Sequence, residues 1–289
     1  MKYFIKAPAK INLFLDVLGK REDGYHEIRS VMQSVSLYDE ISLEMLPCSD
    51  IKIELSGSNK LIKWDESNLA YKACALLLSH LKIGNAHIKI HIEKNIPIGA
   101  GMAGGSADAS GTLILLNQAL GFPLSTDELC ELGSKLGADI PFCIRGGTCL
   151  CEGIGEVLTP ITSFSGAYML CAIDDSSIST PHAYRMLDEK YGDFSSERGD
   201  ISPIMLAIEK NDVLGVASNL YNKFESVIIA QNPKITEIKD IMLKCGAIGT
   251  LMSGSGPSVF GIFPSEITQK NAFFALQSEK IQAFLCKSL

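Results

Sequence analysis

Residues 87–120 set the tightest limit on what this chain can fold into. His87–Glu93 alternates: Ile88, Ile90 and Ile92 fall on one side of an expected strand, and His87, Lys89, His91 and Glu93 on the other. Ser106–Leu120 reads as a helix. Between them runs Ile96-Pro97-Ile98-Gly99-Ala100-Gly101-Met102-Ala103-Gly104-Gly105-Ser106-Ala107-Asp108, with four glycines within seven residues. Glycines allow positive φ and close approach of the backbone to a ligand. Amides at the start of the following helix then point at an anion, and the helix dipole adds to the attraction. Pro97, Ile98, Gly99, Ala100, Gly101, Met102, Ala103, Gly104, Gly105 and Ser106 are therefore candidate phosphate-binding residues. A merely flexible strand-to-helix turn accounts less well for four glycines ending at a helix start.

The type of nucleotide loop can be narrowed. No Gly-Lys-Ser/Thr closes the segment, so it is not a P-loop. Gly99, Gly101 and Gly104 satisfy G-x-G-x-x-G, which raises a dinucleotide-binding oxidoreductase as an alternative. That reading needs a second parallel strand ending in an acidic residue about 20 residues on. A second helix stands there instead, Ser125–Leu136, opened by a capping box of Ser125 and Glu128 and closed by Gly137, with Asp127 at its start.

The rest of the chain reads as α+β. Ile11, Leu13, Leu15 and Val17 alternate, as do Ile41, Leu43 and Met45, and Ile51, Ile53 and Leu55. Asn68–Leu81 is an expected helix with Leu69, Ala73, Leu76 and Leu77 on one face. Short strands are expected near Phe142–Ile144 and Thr148–Glu152, and a boundary at Thr159–Gly166 divides domains 1–160 and 161–289. Beyond it come a strand at Ala167–Ile173, a helix opening at Thr180-Pro181, a polar loop over Tyr191–Ser202, further helices, and apolar segments at Ile248–Met252 and Val259–Phe263.

Composition excludes several functions. A net charge of −7 and a pI near 5.3 argue against nucleic acid as the main partner, though one cleft can still be positive. Nine cysteines, an odd number scattered through apolar stretches, read as reduced thiols. Cys143, Cys149 and Cys151 lack the C-x-x-C spacing of a metal site, and they read as small buried hydrophobes. No secretory leader and no run approaching about 20 apolar residues is present, so a cytoplasmic protein with no membrane partner is expected.

Two further stretches carry chemistry-bearing residues. Ala7-Pro8-Ala9-Lys10-Ile11-Asn12 leads on to Arg21-Glu22-Asp23-Gly24-Tyr25-His26-Glu27. Lys10 and Asn12 share one side of a strand whose other side is apolar, which taken alone reads as a solvated face. In Leu136-Gly137-Ala138-Asp139-Ile140-Pro141-Phe142, Asp139 follows a helix end in apolar surroundings. A carboxylate there needs a partner or a raised pKa, although a lone loop Asp is more often a turn residue.

With the glycine-rich loop, and with Met252-Ser253-Gly254-Ser255-Gly256-Pro257-Ser258 near the end, these stretches resemble the GHMP family of small-molecule kinases. The match runs in order from Lys6 to about Phe263. The resemblance implies a two-domain α+β fold: an N-terminal domain like the second domain of ribosomal protein S5, and a ferredoxin-like C-terminal domain, with the site in the cleft between them. It implies ATP as phosphoryl donor with Mg²⁺, and a small-molecule acceptor bearing a cytidine end. Lys10 and Asp139 match the catalytic pair. Asn68 joins the loop among nucleotide-binding residues, and Asn12, Tyr25, His26, Thr180 and Tyr184 match the acceptor site, Tyr184 as an aromatic near the cytosine, where a core tyrosine on a helix reads equally well. Where the family loop often reads Gly-Leu-Gly-Gly-Gly-Ser-Ser, Met102, Ala103 and Ala107 differ here. Ala107 lacks a hydroxyl that could touch phosphate or metal, so the metal ligands stay unassigned.

Overall fold

A computed structural model describes residues 1–173, 178–192, 194 and 198–289. In chain order they form β1 (Lys2–Lys20), β2 (His26–Leu46), β3 (Ile51–Gly57), α1 (Leu69–His80), β4 (Ala86–Glu93), α2 (Gly104–Ala119), α3 (Thr126–Ser134), α4 (Ile140–Arg145), β5 (Thr148–Glu152), β6 (Val157–Pro160), β7 (Tyr168–Ile173), α5 (Thr180–Tyr191), α6 (Ser202–Glu209), α7 (Val213–Ser218), β8 (Tyr221–Asn222), α8 (Glu225–Ile228), α9 (Pro233–Lys244), β9 (Gly249–Met252), β10 (Val259–Phe263), α10 (Glu266–Ser278) and β11 (Gln282–Lys287). Part of the polar stretch expected as a loop over Tyr191–Ser202 lies outside the described residues.

The chain divides into two compact units. The first comprises Met1–Ala9, Leu37–Ile98 and Ala103–Gly146. Within it β4 pairs antiparallel with the end of β2, Leu43 opposite Ile90, and parallel with β3, Ile53 beside Ile88. The alternation of β4 holds: Ala86, Ile88, Ile90 and Ile92 are buried. Helix α2 lies close against the sheet, because a Cβ at Gly111 would stand only 2.4 Å from Ile41 Cδ1. Both expected helix starts are present. Asn68 Oδ1 accepts from Ala70 N, and Ser125 and Glu128 form the capping box.

One expected element differs. Phe142–Ile144 is not a strand but part of α4, with Pro141 in its first turn. The fixed φ of proline suits a helix start, and Ile140 of this helix packs against Gly133 of α3, where a Cβ would be 2.6 Å away.

The second unit comprises Lys10–Ser36, Gly99–Met102 and Gly147–Leu289. The start of β2 pairs with β5, which pairs with β6, while β8 lies parallel to β1 with Phe14 beside Tyr221 and Leu15 beside Asn222. A separate four-stranded antiparallel sheet has the order β11-β7-β10-β9. Counting its strands along the chain gives 4-1-3-2, with α9 ahead of the second and α10 between the third and fourth. This is the ferredoxin-like arrangement. Its core includes Leu170, Ala172, Val259, Ile238, Met242, Ala272 and Leu276. All nine cysteines are free thiols, Cys149 and Cys151 buried in β5.

Candidate active site

In the second unit, Lys10 and Asn12 do not lie on a solvated face. They are 5% and 1% exposed. Lys10 Nζ donates to Asn12 Oδ1 at 2.8 Å, Asn12 Nδ2 donates to Ser30 Oγ at 2.8 Å, and Ser30 Oγ donates to the Phe14 carbonyl at 2.6 Å. This chain fixes the ammonium, since every link has a partner. The polar row continues along β1 to Asp16, which accepts from Gly199 N and faces buried Lys223 at 3.3 Å. The backbone of Lys10 also reaches the glycine loop, its N–H donating to Met102 O at 3.2 Å.

Gly101 requires glycine for two reasons. Its φ is +71°, and a Cβ would lie 2.7 Å from the Ser253 carbonyl oxygen and 3.2 Å from that of Gly256. The glycine motif near the chain's end therefore rests on the loop.

In the first unit the chain leaves the loop into α2. Ala103 takes φ +58° at the N-cap, a left-handed conformation that costs an L-residue about 1–2 kcal/mol. A Cβ at Gly104 would meet Ile96 at 3.1 Å and Lys94 Nζ at 3.4 Å, so glycine brings the helix start down onto the end of the incoming strand. Ala107 is wholly buried. Asn68 serves α1: besides its cap bond, its Nδ2 donates to Lys63 O. Asp139 heads α4 without capping it, although its carbonyl accepts from Cys143 N at 3.0 Å.

Within the first unit a charged group joins residues on either side of the loop in the chain, and the sequence reading did not reach it. Lys94, with 3% of its side chain exposed, pairs with Asp39 and with Asp108, the latter at 2.7 Å. Asp39 Oδ1 accepts from Asn95 N at 2.7 Å and Ile96 N at 2.8 Å, which pins the turn before Pro97. Asp108 Oδ1 is buried without a hydrogen-bond partner. Burial pushes the Asp108 carboxyl up to about 8, against the opposing charge of Lys94 and with the help of Asp39.

The acceptor candidates Tyr25, His26, Thr180 and Tyr184 all lie in the second unit. Asp23-Gly24 forms the expected turn, with Asp23 Oδ1 accepting from Tyr25 N and Gly24 at φ +87°. Tyr25 is 61% exposed. His26 is buried and reads out differently: its Nε2 lies 2.6 Å from Asp188 Oδ1, and its ring stacks on Tyr184 at 4.4 Å and 17°. Phe224 meets Tyr184 edge-on at 4.9 Å. One face of Tyr184 is thus covered by His26. Asp188 also accepts from Lys20 at 2.7 Å. Burial alone would raise its carboxyl, but the Lys20 and His26 hydrogen bonds outweigh this and hold it below the usual range. Thr180 Oγ1 lies 2.8 Å from Ser255 Oγ. Among the described residues no group of three or more His, Cys, Asp or Glu side chains is arranged to hold a metal ion, and no helix is long and apolar enough to cross a membrane.

Comparison with known proteins gives the family. Residues 68–147 match the model of the GHMP kinases N-terminal domain, and residues 197–282 that of the GHMP kinases C-terminal domain. The chain belongs to the GHMP kinase family and is a small-molecule kinase. A Caldicellulosiruptor saccharolyticus protein named 4-diphosphocytidyl-2-C-methyl-D-erythritol kinase is 46% identical over 262 residues, covering 91% of this chain and 88% of that one. A Clostridium perfringens protein of the same name is 41% identical over 275 residues, covering 95% and 93%. A crystal structure of 4-(cytidine 5'-diphospho)-2C-methyl-D-erythritol kinase superposes with a TM-score of 0.81 at 28% identity, with 99% of each chain covered. The two-domain α+β fold expected from the sequence is the one these relatives share.

Proposed function

We propose that the chain transfers the γ-phosphoryl group of ATP to the 2-hydroxyl of 4-diphosphocytidyl-2-C-methyl-D-erythritol, in the non-mevalonate route to isoprenoid precursors. The observation that carries this reading is the 46% identity, over 91% of the chain, to a relative bearing that substrate's name. Lys10, Asn12, Asp23-Gly24-Tyr25-His26 and Gly137-Ala138-Asp139 support it as the residues that match the family's motifs. Both substrates are charged small molecules, which suits a cytoplasmic enzyme.

ATP phosphates would lie along residues 97–106 and the first turn of α2. The fit rests on Gly101, whose Cα carries no side chain and whose backbone is already held from behind. Mg²⁺, when bound, would neutralise charge on the phosphate oxygens and would draw its ligands from them, from water and from the Ser106 hydroxyl. Asp139 accepts or orients the proton of the attacking hydroxyl. Lys10, held by Asn12, supplies fixed positive charge. Tyr25 offers an exposed ring to the cytosine, and His26 anchors the segment that carries it. Domain 1–160 would provide the nucleotide and catalytic residues and domain 161–289 would close on the acceptor. Phosphoryl transfer is mostly positioning and charge stabilisation, so such fixed groups suffice.

The test is ATP consumption across a panel of acceptors: diphosphocytidyl methylerythritol, homoserine, phosphomevalonate and galactose. Turnover confined to the first is expected, and turnover confined to any other overturns the proposal. The loop is tested separately. Gly101→Ala forces a Cβ against the Ser253 carbonyl at positive φ, so ATP affinity should fall about tenfold or more, since about 1.4 kcal/mol suffices. Calorimetric titration showing unchanged affinity in the folded variant would move the phosphate site elsewhere.

A further inference from the structure

The glycine-rich loop is supported from behind by two residues that none of the motifs above includes. Asn222, in β8, is 5% exposed. Its Nδ2 donates to Met252 O at 2.7 Å and to Gly254 O at 2.8 Å, and its Oδ1 accepts from Phe224 N at 3.0 Å. Each polar atom of the amide is used, which fixes its orientation. Glu225, three residues on, accepts from Met252 N at 2.8 Å through Oε1, and both its oxygens accept from Lys239 Nζ at 2.7 Å. Together the two side chains hold both sides of Met252 and the carbonyl of Gly254.

What they hold has two neighbours. Ser253 O and Gly256 O back onto Gly101, and Ser253 Oγ lies 3.4 Å from Gly101 O. One residue further, Ser255 Oγ bonds Thr180 Oγ1 at the start of α5. Helix α5 carries Tyr184 and Asp188, the two residues on His26. The backbone of 252–256 therefore touches the nucleotide segment on one side and the acceptor segment on the other. Asn222 itself lies beside Leu15 of the neighbouring β1, and Leu15 is three residues from Asn12.

We infer that Asn222 and Glu225 are positioning residues for the kinase reaction: they set the backbone of Met252–Gly256, which in turn sets Gly101 in the phosphate loop and Thr180 in the acceptor segment. The inference rests on the reading of residues 97–106 as the phosphate loop. Without the clamp, two buried carbonyls and one amide lose their partners, and the five-residue loop, with glycines at φ +58° and +88°, has little of its own to hold it.

The experiment compares four single variants of the full chain for melting temperature, KM for ATP, KM for the acceptor and kcat. Asn222→Asp keeps shape and Oδ1 but turns a carboxylate toward two carbonyls. Glu225→Ala removes the Met252 acceptor, and Glu225→Gln retains it while losing the charge facing Lys239. Lys239→Met breaks the ion pair alone. Both KM values should rise about tenfold or more in Asn222→Asp and Glu225→Ala. Glu225→Gln should recover most of that loss, and Lys239→Met should lower melting temperature with both KM values near those of the wild type. A rise that follows melting temperature, so that Lys239→Met and Glu225→Gln behave like Glu225→Ala, overturns the inference in favour of general stability. If Asn222→Asp does not fold, the Glu225→Ala and Glu225→Gln pair decides alone. Should Gly101→Ala weaken ATP binding while the clamp variants do not, the inference fails and the phosphate loop stands. Should neither weaken it, the phosphate-loop reading has failed first.

Discussion

Asp139→Asn should give a folded protein with normal ATP affinity and at least about a hundredfold lower kcat, the lower range for removing a general base. Asparagine keeps the shape of the side chain and removes its charge. Asp139 stands at the head of α4 but does not cap it, so no helix-terminal bond is lost with the charge. The bond that does start the helix, from Cys143 N, goes to the Asp139 carbonyl oxygen and is common to both side chains. Ile140, Pro141 and Phe142, all buried, hold α4 in place regardless. Lys10 is a poorer first target, because its ammonium is the head of the Asn12–Ser30 hydrogen-bond chain and its loss would disturb β1 as well. Measurement of kcat, of ATP binding by calorimetry, and of melting temperature on one preparation separates chemistry from folding. Near-normal turnover would remove Asp139 from the mechanism and leave positioning by the loops as the whole of it.

What could be read from the sequence was local. The capping box at Ser125–Glu128, the helix start at Asn68, the turn at Asp23-Gly24 and the alternation of β4 each involve residues within a few positions of one another, and each is present. The glycine loop was legible for the same reason, being a strand, a turn and a helix start in sequence. The helix at Ile140–Arg145 was not. A short apolar run bounded by glycine has no periodicity to separate helix from strand, and only Pro141 marked it. The burial of Lys10 and Asn12 depended on Ser30, 18 residues from Asn12, so a polar row that looked solvated is an internal hydrogen-bond chain. Tyr184 and His26 lie 158 positions apart, and nothing near either foretells their stacking. The same holds for Asn222 and Glu225, whose partners are backbone atoms of a distant loop. Side-chain pairing across the fold is a product of topology, and one sequence without alternatives for comparison does not display it.

Lys94→Met should destabilise the first unit by about 3–5 kcal/mol at neutral pH, the range for removing one partner of a buried ion pair. Lys94 Nζ is the cation held between Asp39 and Asp108, and all three side chains are nearly or fully buried. Methionine matches the length of lysine but leaves no cation between Asp39 and Asp108, while Asp39 keeps its backbone bonds from Asn95 N and Ile96 N. The loss has a defined pH dependence. Asp108 is raised to about 8 by burial, from an ordinary value near 3.8. Between those values the folded chain holds a proton that the unfolded chain has released. Its contribution to stability is therefore complete below about pH 4 and is lost as pH rises to about 8. Asp108→Asn removes that titration, so its melting temperature should come nearest the wild type at pH 5, exceed it at pH 8.5, and vary less between the two. In Lys94→Met the same carboxyl loses the one charge that opposed its protonation, so stability should recover as pH is lowered and fall further as it is raised. Adding Asp108→Asn to Lys94→Met should restore part of the loss, because one of the two stranded carboxyls is then neutral at every pH. Thermal or urea unfolding of the three variants and the wild type from pH 5 to 8.5 checks this. A Lys94→Met loss that is small, or that does not shrink toward pH 5, would mean that the ion pair does not hold the turn before Pro97.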